Sequence, residues 1–280
     1  SDATICESDS IELTVTSDPG VTFEWTPSAT VVDPTSGLTF VKPTTTTVYK
    51  VVVTTVDGCK DSVNIQIDVQ PIPTGTFVVS SDTVCFGDDA QYTATLDPLF
   101  TIAPTGGYSY DNGVTFITSN TRSVQATAAG KHEETVILKD QYGCLSNVLT
   151  TEVQVLELVA FNLETINIPT CQNPTQGEFN IKDIKGGLPN YTVSVNSDVR
   201  TNVTPTDIEV YDNLPIAIYN INIEDDFGCM ADTTISFQNS ITFDTLIEHI
   251  ECNGGVNGKI SIQNVQGVTA PYEFSLQGGM

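Results

Sequence analysis

Histidine is close to absent from this chain, with only His132 and His249, far apart. No Cys-x-x-Cys pair accompanies them, so the cysteines read as structural disulfides in preference to a zinc site. Neither a Gly-x-Ser-x-Gly elbow nor a His-Glu-x-x-His stretch occurs, so a hydrolase would lack its base, nucleophile or metal. Paired carboxylates for glycoside hydrolysis are the exception, because acids are everywhere. Basic residues are scarce too: 10 Lys and Arg stand against 35 Asp and Glu, a net charge of −25. Such a surface repels nucleic acid and anionic lipid. No apolar run approaches the roughly 20 residues that cross a bilayer. No window sustains a helical period. The start, Ser1-Asp2-Ala3-Thr4, reads as a processed or excised fragment without a signal peptide.

What is abundant is Thr, Val, Ile and Asn, a composition that favours strands. Apolar residues alternate in Ile11, Leu13, Val15; in Val21, Phe23, Trp25; in Tyr49, Val51, Val53; and in Val63, Ile65, Ile67. Such runs, split by Asp-Pro-Gly and Gly-rich turns, read as β-sandwiches. At 280 residues the chain suits three or four modules of roughly 80 residues. The expected divisions are 1–70, 71–156, 157–239 and an incomplete 240–280, with the natural protein continuing beyond. The fold class is therefore all-β: tandem Ig-like sandwiches arranged as an elongated rod.

Seven cysteines frame these modules. Asp140-Gln141-Tyr142-Gly143-Cys144 and Asp225-Asp226-Phe227-Gly228-Cys229 each sit between alternating runs, and Asp57-Gly58-Cys59 is a shortened copy. Each reads as a hairpin turn ending in cysteine. An earlier cysteine precedes each by a similar interval: Cys6 for Cys59, Cys85 for Cys144, Cys171 for Cys229. Three disulfides within modules are expected, in an oxidising compartment. Cys252 has no closing partner and is expected to be unpaired, leaving Ile260, Ile262, Tyr272 and Phe274 on an exposed apolar face.

Three further features have two readings each. Trp25 is a core residue or a sugar-stacking one. The irregular stretch 98–113 carries Tyr108, Tyr110 and an Asn112-Gly113 turn; it is a long hairpin or a binding loop. Calcium is the one cofactor with suitable oxygen ligands, at Asp88, Asp89, Asp225 and Asp226 and at Asp111-Asn112, against ordinary turn chemistry for the same residues. No other cofactor is expected.

The run from Cys252 through Asn253-Gly254-Gly255-Val256-Asn257-Gly258-Lys259-Ile260, followed by Ala270-Pro271-Tyr272-Glu273-Phe274-Ser275-Leu276, resembles the SprB-type repeat of very large surface adhesins of gliding Bacteroidetes. Tyr219 to Cys229 resembles its closing strand and hairpin, with Ala217 where glycine is usual. Residues Cys6, Glu24-Trp25-Thr26-Pro27, Pro43 to Tyr49 and Asp57-Gly58-Cys59 are similar to Ig-like or PKD-like domains exported by the type IX secretion system of that phylum. The resemblance implies a non-catalytic adhesin segment at the outer cell surface. It would contact surface polysaccharide or solid surfaces, and the gliding and secretion machinery through other parts of the protein. A carbohydrate-binding or spacer array beside a secreted polysaccharide-degrading enzyme is the alternative. Asp-Ser/Thr-apolar triplets resemble that phylum's O-glycosylation signal, at Ser10, Ser62, Thr83 and Thr245.

Overall fold

The computed structural model describes residues 2–170, 173–238, 242–249, 258–266, 271 and 273–275. Among these there is no helix. The chain divides into two compact units, and each is described by itself. Unit 1 is made of 1–84, 88–126 and 131–154; unit 2 of 85–87, 127–130 and 155–280.

The first sandwich of unit 1 has strands β1 (Ala3–Cys6), β2 (Ile11–Thr14), β3 (Thr22–Thr26), β4 (Leu38–Val41), β5 (Thr47–Thr54) and β6 (Lys60–Gln70). One sheet has the order β1-β6-β5-β3 and the other pairs β2 with β4. Alternation decides what is buried: Trp25, Tyr49, Val51 and Ile67 on one sheet meet Leu13 and Val41 on the other. Full burial of such side chains contributes about 1.5–3 kcal/mol each. Trp25 is a core residue: 1 % exposed, with its indole N–H donated to the Ser36 carbonyl at 2.9 Å.

The second sandwich has β7 (Gly75–Val79), β8 (Thr83–Val84), β9 (Asp89–Leu96), β10 (Tyr108–Ser109), β11 (Thr121–Gln125), β12 (Gly130–Leu138) and β13 (Leu149–Val155). Its sheets run β10-β12-β13-β8 and β11-β9-β7. Ile117 lies outside the named strands and makes one isolated bridge, to Tyr108.

Unit 2 has β14 (Ala160–Asn167), β15 (Gly177–Lys185), β16 (Tyr191–Val195), β17 (Asp198–Val203), β18 (Glu209–Leu214), β19 (Ile218–Asp225) and β20 (Met230–Ser236). The sheets are β14-β15-β18 and β17-β16-β19-β20. Phe179, Ile181, Tyr191, Val193, Ile221 and Ile223 form the centre of its core. Ile218 has the opposite parity to Ile221 and points out, 60 % exposed, while Tyr219 points in. A two-stranded ribbon of β21 (Thr242–Glu248) and β22 (Lys259–Gln266) follows. Ile260 and Phe274 are exposed there, Ile262 is half-buried, and Tyr272 and Cys252 lie outside the described residues.

The disulfides differ from the expected pattern. Cys6 bonds Cys144, and Cys85 bonds Cys229. Cys59 is a free, exposed thiol, and Cys171 lies outside the described residues. The reason is strand direction. β1 runs parallel to β6, with Cys6 opposite Gln70, the last residue of β6. Cys59 immediately precedes Lys60, the first. The eleven residues of β6 separate the two by roughly 35 Å, whereas a disulfide needs Cα atoms within about 7 Å. A bond inside the first sandwich is therefore out of reach. In the second, Gln154 near the end of β13 donates its N–H to the Asp82 carbonyl, 2.7 Å away. That places the approach to Cys85 about ten residues of chain from Cys144. Each observed bond instead joins an opening cysteine to the closing hairpin of the next cysteine-framed segment.

Candidate functional site

Two features stand apart from ordinary sandwich packing: the closing hairpins and a tyrosine-lined cavity. The hairpins share one backbone design. The Asp140 N–H bonds the Cys144 carbonyl and the Gly143 N–H bonds the Asp140 carbonyl; Asp225, Cys229 and Gly228 repeat this. The glycine has φ of +89° at Gly143 and +99° at Gly228, a region that side chains rarely occupy. The aspartate carboxylate then fills the turn. Asp140 Oδ1 accepts N–H groups from Tyr142 and Cys144, both at 2.9 Å. Asp225 Oδ1 accepts from Phe227 and Cys229, and its Oδ2 from Leu188 at 2.6 Å. Both aspartates are buried.

The Cys59 turn turns out not to be shortened. The Thr55 N–H bonds the Cys59 carbonyl and the Gly58 N–H bonds the Thr55 carbonyl. Gly58 has φ of +82°. Thr55 Oγ1 takes the carboxylate's place, accepting the Cys59 N–H at 3.2 Å. Thr55 is hidden in the sequence because the other two turns open with aspartate; a hydroxyl four residues before the cysteine is the signal it leaves.

These contacts also account for two of the calcium candidates. Asp225 is used by the turn, and Asp226 Oδ2 accepts the Asn190 N–H at 3.3 Å. Asp88 and Asp89 are exposed, with Asp89 paired to Gln125 at the start of β9. Among the described residues, no three His, Cys, Asp or Glu side chains come together in a group that could hold a metal. Of the glycosylation candidates, Ser10, Ser62 and Thr245 are exposed and Thr83 is half-buried.

The cavity, about 270 Å³, is lined by Tyr108, Tyr110, Asp111, Thr115, Ile117, Thr121 and Arg122. The stretch holding the two tyrosines is thus a pocket wall as well as a turn. Tyr110 is held on one side by Phe77, with ring centroids 6.0 Å apart. On another, the Arg122 guanidinium lies 5.5 Å from its ring centroid, a cation–π distance. Arg122 also donates to the Tyr110 carbonyl at 3.1 Å and approaches Glu134 at 3.6 Å. Burial, then the neighbouring Tyr108, pushes the Tyr110 phenol upward. The rim is fixed by Asp111. Its carboxylate accepts from the Thr115 hydroxyl, the Ser109 hydroxyl and the Thr115 N–H. The Thr115 hydroxyl first, then that of Ser109, hold its acidity constant down to about 2, against an ordinary 3.8.

A depressed carboxylate contributes its ordering fully above the unfolded value and loses it as pH falls through the folded one. The 109–115 loop should therefore stay ordered at pH 5 and loosen between about pH 4 and pH 2. Amide exchange at Gly113 and Thr115 followed across that range is the measurement, and Asp111→Asn should show loosened exchange already at pH 7.

No protein-family model matches the sequence, and no curated protein matches it. Among solved structures, the chain is similar to a three-domain fragment of the titin I-band at 14 % identity, covering 84 % of this chain and 94 % of that one, TM-score 0.37. It is similar to the fibronectin(III)-like modules of CbhA from Clostridium thermocellum at 17 % identity, covering 55 % and 89 %, TM-score 0.33. Extracellular domains 3–5 of Drosophila OTK give 11 % identity, 84 % and 93 % coverage and a TM-score of 0.29. The paired sheets described above make this chain an all-β protein of tandem Ig-like sandwiches.

Proposed function

We propose that the chain is a non-catalytic segment of a large extracellular surface adhesin, in which tandem sandwiches form a disulfide-stapled stiff rod that serves adhesion and gliding. The observation that carries this reading is the offset bonding. Cys6–Cys144 and Cys85–Cys229 span 138 and 144 residues, so each bond reaches past one cysteine-framed segment into the next. Bonds of this kind persist in oxidising surroundings and give covalent continuity along an array. The charge of −25 keeps a long exposed surface solvated and resists aggregation. Adhesion would come from many weak contacts acting together, at surface polysaccharide or solid surfaces. Antibody raised against the chain should label intact cells that make it and block their attachment to glass. Labelling confined to a secreted complex that holds a catalytic domain would overturn the adhesin reading.

The tyrosine-lined cavity favours the second reading, a carbohydrate-binding array beside a secreted enzyme. Its apolar wall and its Arg122 and Asp111 rim suit a neutral sugar ring that stacks and hydrogen-bonds. Under this reading Tyr108→Ala and Arg122→Ala should each weaken binding to one polysaccharide on a glycan array by about five- to thirtyfold, as loss of one such contact costs on the order of 1–2 kcal/mol. Uniformly weak binding, unaltered in both variants, would leave the adhesin reading as the better one.

A further inference from the structure

The chain presents the same five-residue hairpin three times, and in two of them its last residue is covalently occupied. Cys144 and Cys229 are each bonded to an opening cysteine that follows or ends a short strand, and both are buried, at 1 % and 4 % exposure. The third hairpin, Thr55 to Cys59, has the same backbone bonds and the same left-handed glycine, yet its cysteine is free and exposed. Beside it Val56 is 85 % exposed. Its neighbour across the surface is the turn at Gly20, where an added Cβ would lie 3.7 Å from Val56. Cys6 and Cys85 are already used, so no opening cysteine among the described residues remains for Cys59. Cys6 is also excluded by the length of β6.

We infer that the end of the first sandwich formed by Thr55–Cys59 and Val56 is an acceptor face for another sandwich of the same design, whose strand-end cysteine bonds Cys59. The two occupied hairpins define the partner chemically: a thiol at the end of a short edge strand, presented with a surface that covers the cysteine and the exposed Val56. The bond forms by thiol–disulfide exchange with a disulfide such as oxidised glutathione. The Cys59 thiolate attacks one glutathione sulfur and the other glutathione leaves as a thiol. The partner cysteine's thiolate then attacks the Cys59 sulfur, and the second glutathione leaves as a thiol. Two protein thiols are oxidised and one glutathione disulfide is reduced.

The experiment is non-reducing peptide mapping of the protein as its cells export it, with free thiols alkylated under denaturing conditions. Cells grown in separate nitrogen isotopes and mixed before export show whether a crosslink joins two copies or lies within one polypeptide. The expected result is loss of alkylation at Cys59, whose peptide is recovered linked to a cysteine other than Cys6, Cys85, Cys144 and Cys229. Isotope-hybrid links would assign the partner to a second copy; unmixed links on a species that runs at single-chain mass under denaturing, non-reducing conditions would assign it to the same polypeptide. Cys59 recovered as a free, alkylated thiol would overturn the inference, as would a Cys59–Cys6 link. Val56→Lys supplies an independent reading: it should leave Cys6–Cys144 intact while lowering the yield of the Cys59 crosslink. An unchanged yield would show that the face plays no part.

Discussion

Cys6→Ser and Cys144→Ser should lower the melting temperature of the oxidised chain equally, and Cys59→Ser should leave it unchanged. The first two variants delete one bond, Cys6–Cys144, so the double variant should melt with either single one. The loop it closes spans 138 residues, for which the chain-entropy account gives about 5 kcal/mol. For a unit of this size that corresponds to a fall on the order of 10 °C or more. Cys59 touches no sulfur in this structure, so serine there removes nothing from the fold. Calorimetry on the wild type and these four variants decides the matter. If Cys59→Ser instead matched Cys6→Ser, and Cys85→Ser matched Cys144→Ser, bonding would lie within modules and the parallel pairing of β1 with β6 would be wrong.

Asp225→Ala should cost about 3 kcal/mol, and Asp140→Ala about 2. Each carboxylate is held by backbone N–H groups, three at Asp225 and two at Asp140. A buried donor left without its acceptor costs roughly 1–3 kcal/mol, less where water can reach it. Phe227 and Leu188 are half exposed, which keeps the figure for Asp225 below three full penalties. Asp225→Asn should fall between wild type and alanine. Its amide oxygen can still serve Phe227 and Cys229, but its amide nitrogen then confronts the Leu188 N–H, donor against donor. Denaturant midpoints at pH 7 give the comparison. Equal stability of the alanine variant would mean that the turn holds itself by glycine and backbone alone.

Period-two alternation made the strands legible. Trp25, Tyr49, Val51 and Ile67 follow the inward parity and are buried. The hairpins were legible from Gly-Cys. Disulfide partners were not, because spacing along a chain does not report strand direction. Similar intervals between opening and closing cysteines suit a bond within a module or one offset by a module equally well; the parallel placement of β1 along β6 separates them in the first sandwich, and the contact of Gln154 with Asp82 in the second. The cavity was legible as an irregular stretch with two tyrosines. Its other wall, Thr121 and Arg122, comes from a different strand that no local pattern connects to it.

The two disulfide loops overlap. One closes 6–144 and the other 85–229, so residues 85–144 belong to both. If the chain were pulled from its ends until the sandwiches gave way, tension would take the shortest covalent path. That path enters at Cys6, crosses to Cys144, runs backwards along the shared segment to Cys85, and crosses to Cys229. The stretches 6–85 and 144–229 would hang slack beside it. A tethered protein wired this way has a short leash: unfolding releases little length, and the load falls on the one segment that both bonds share.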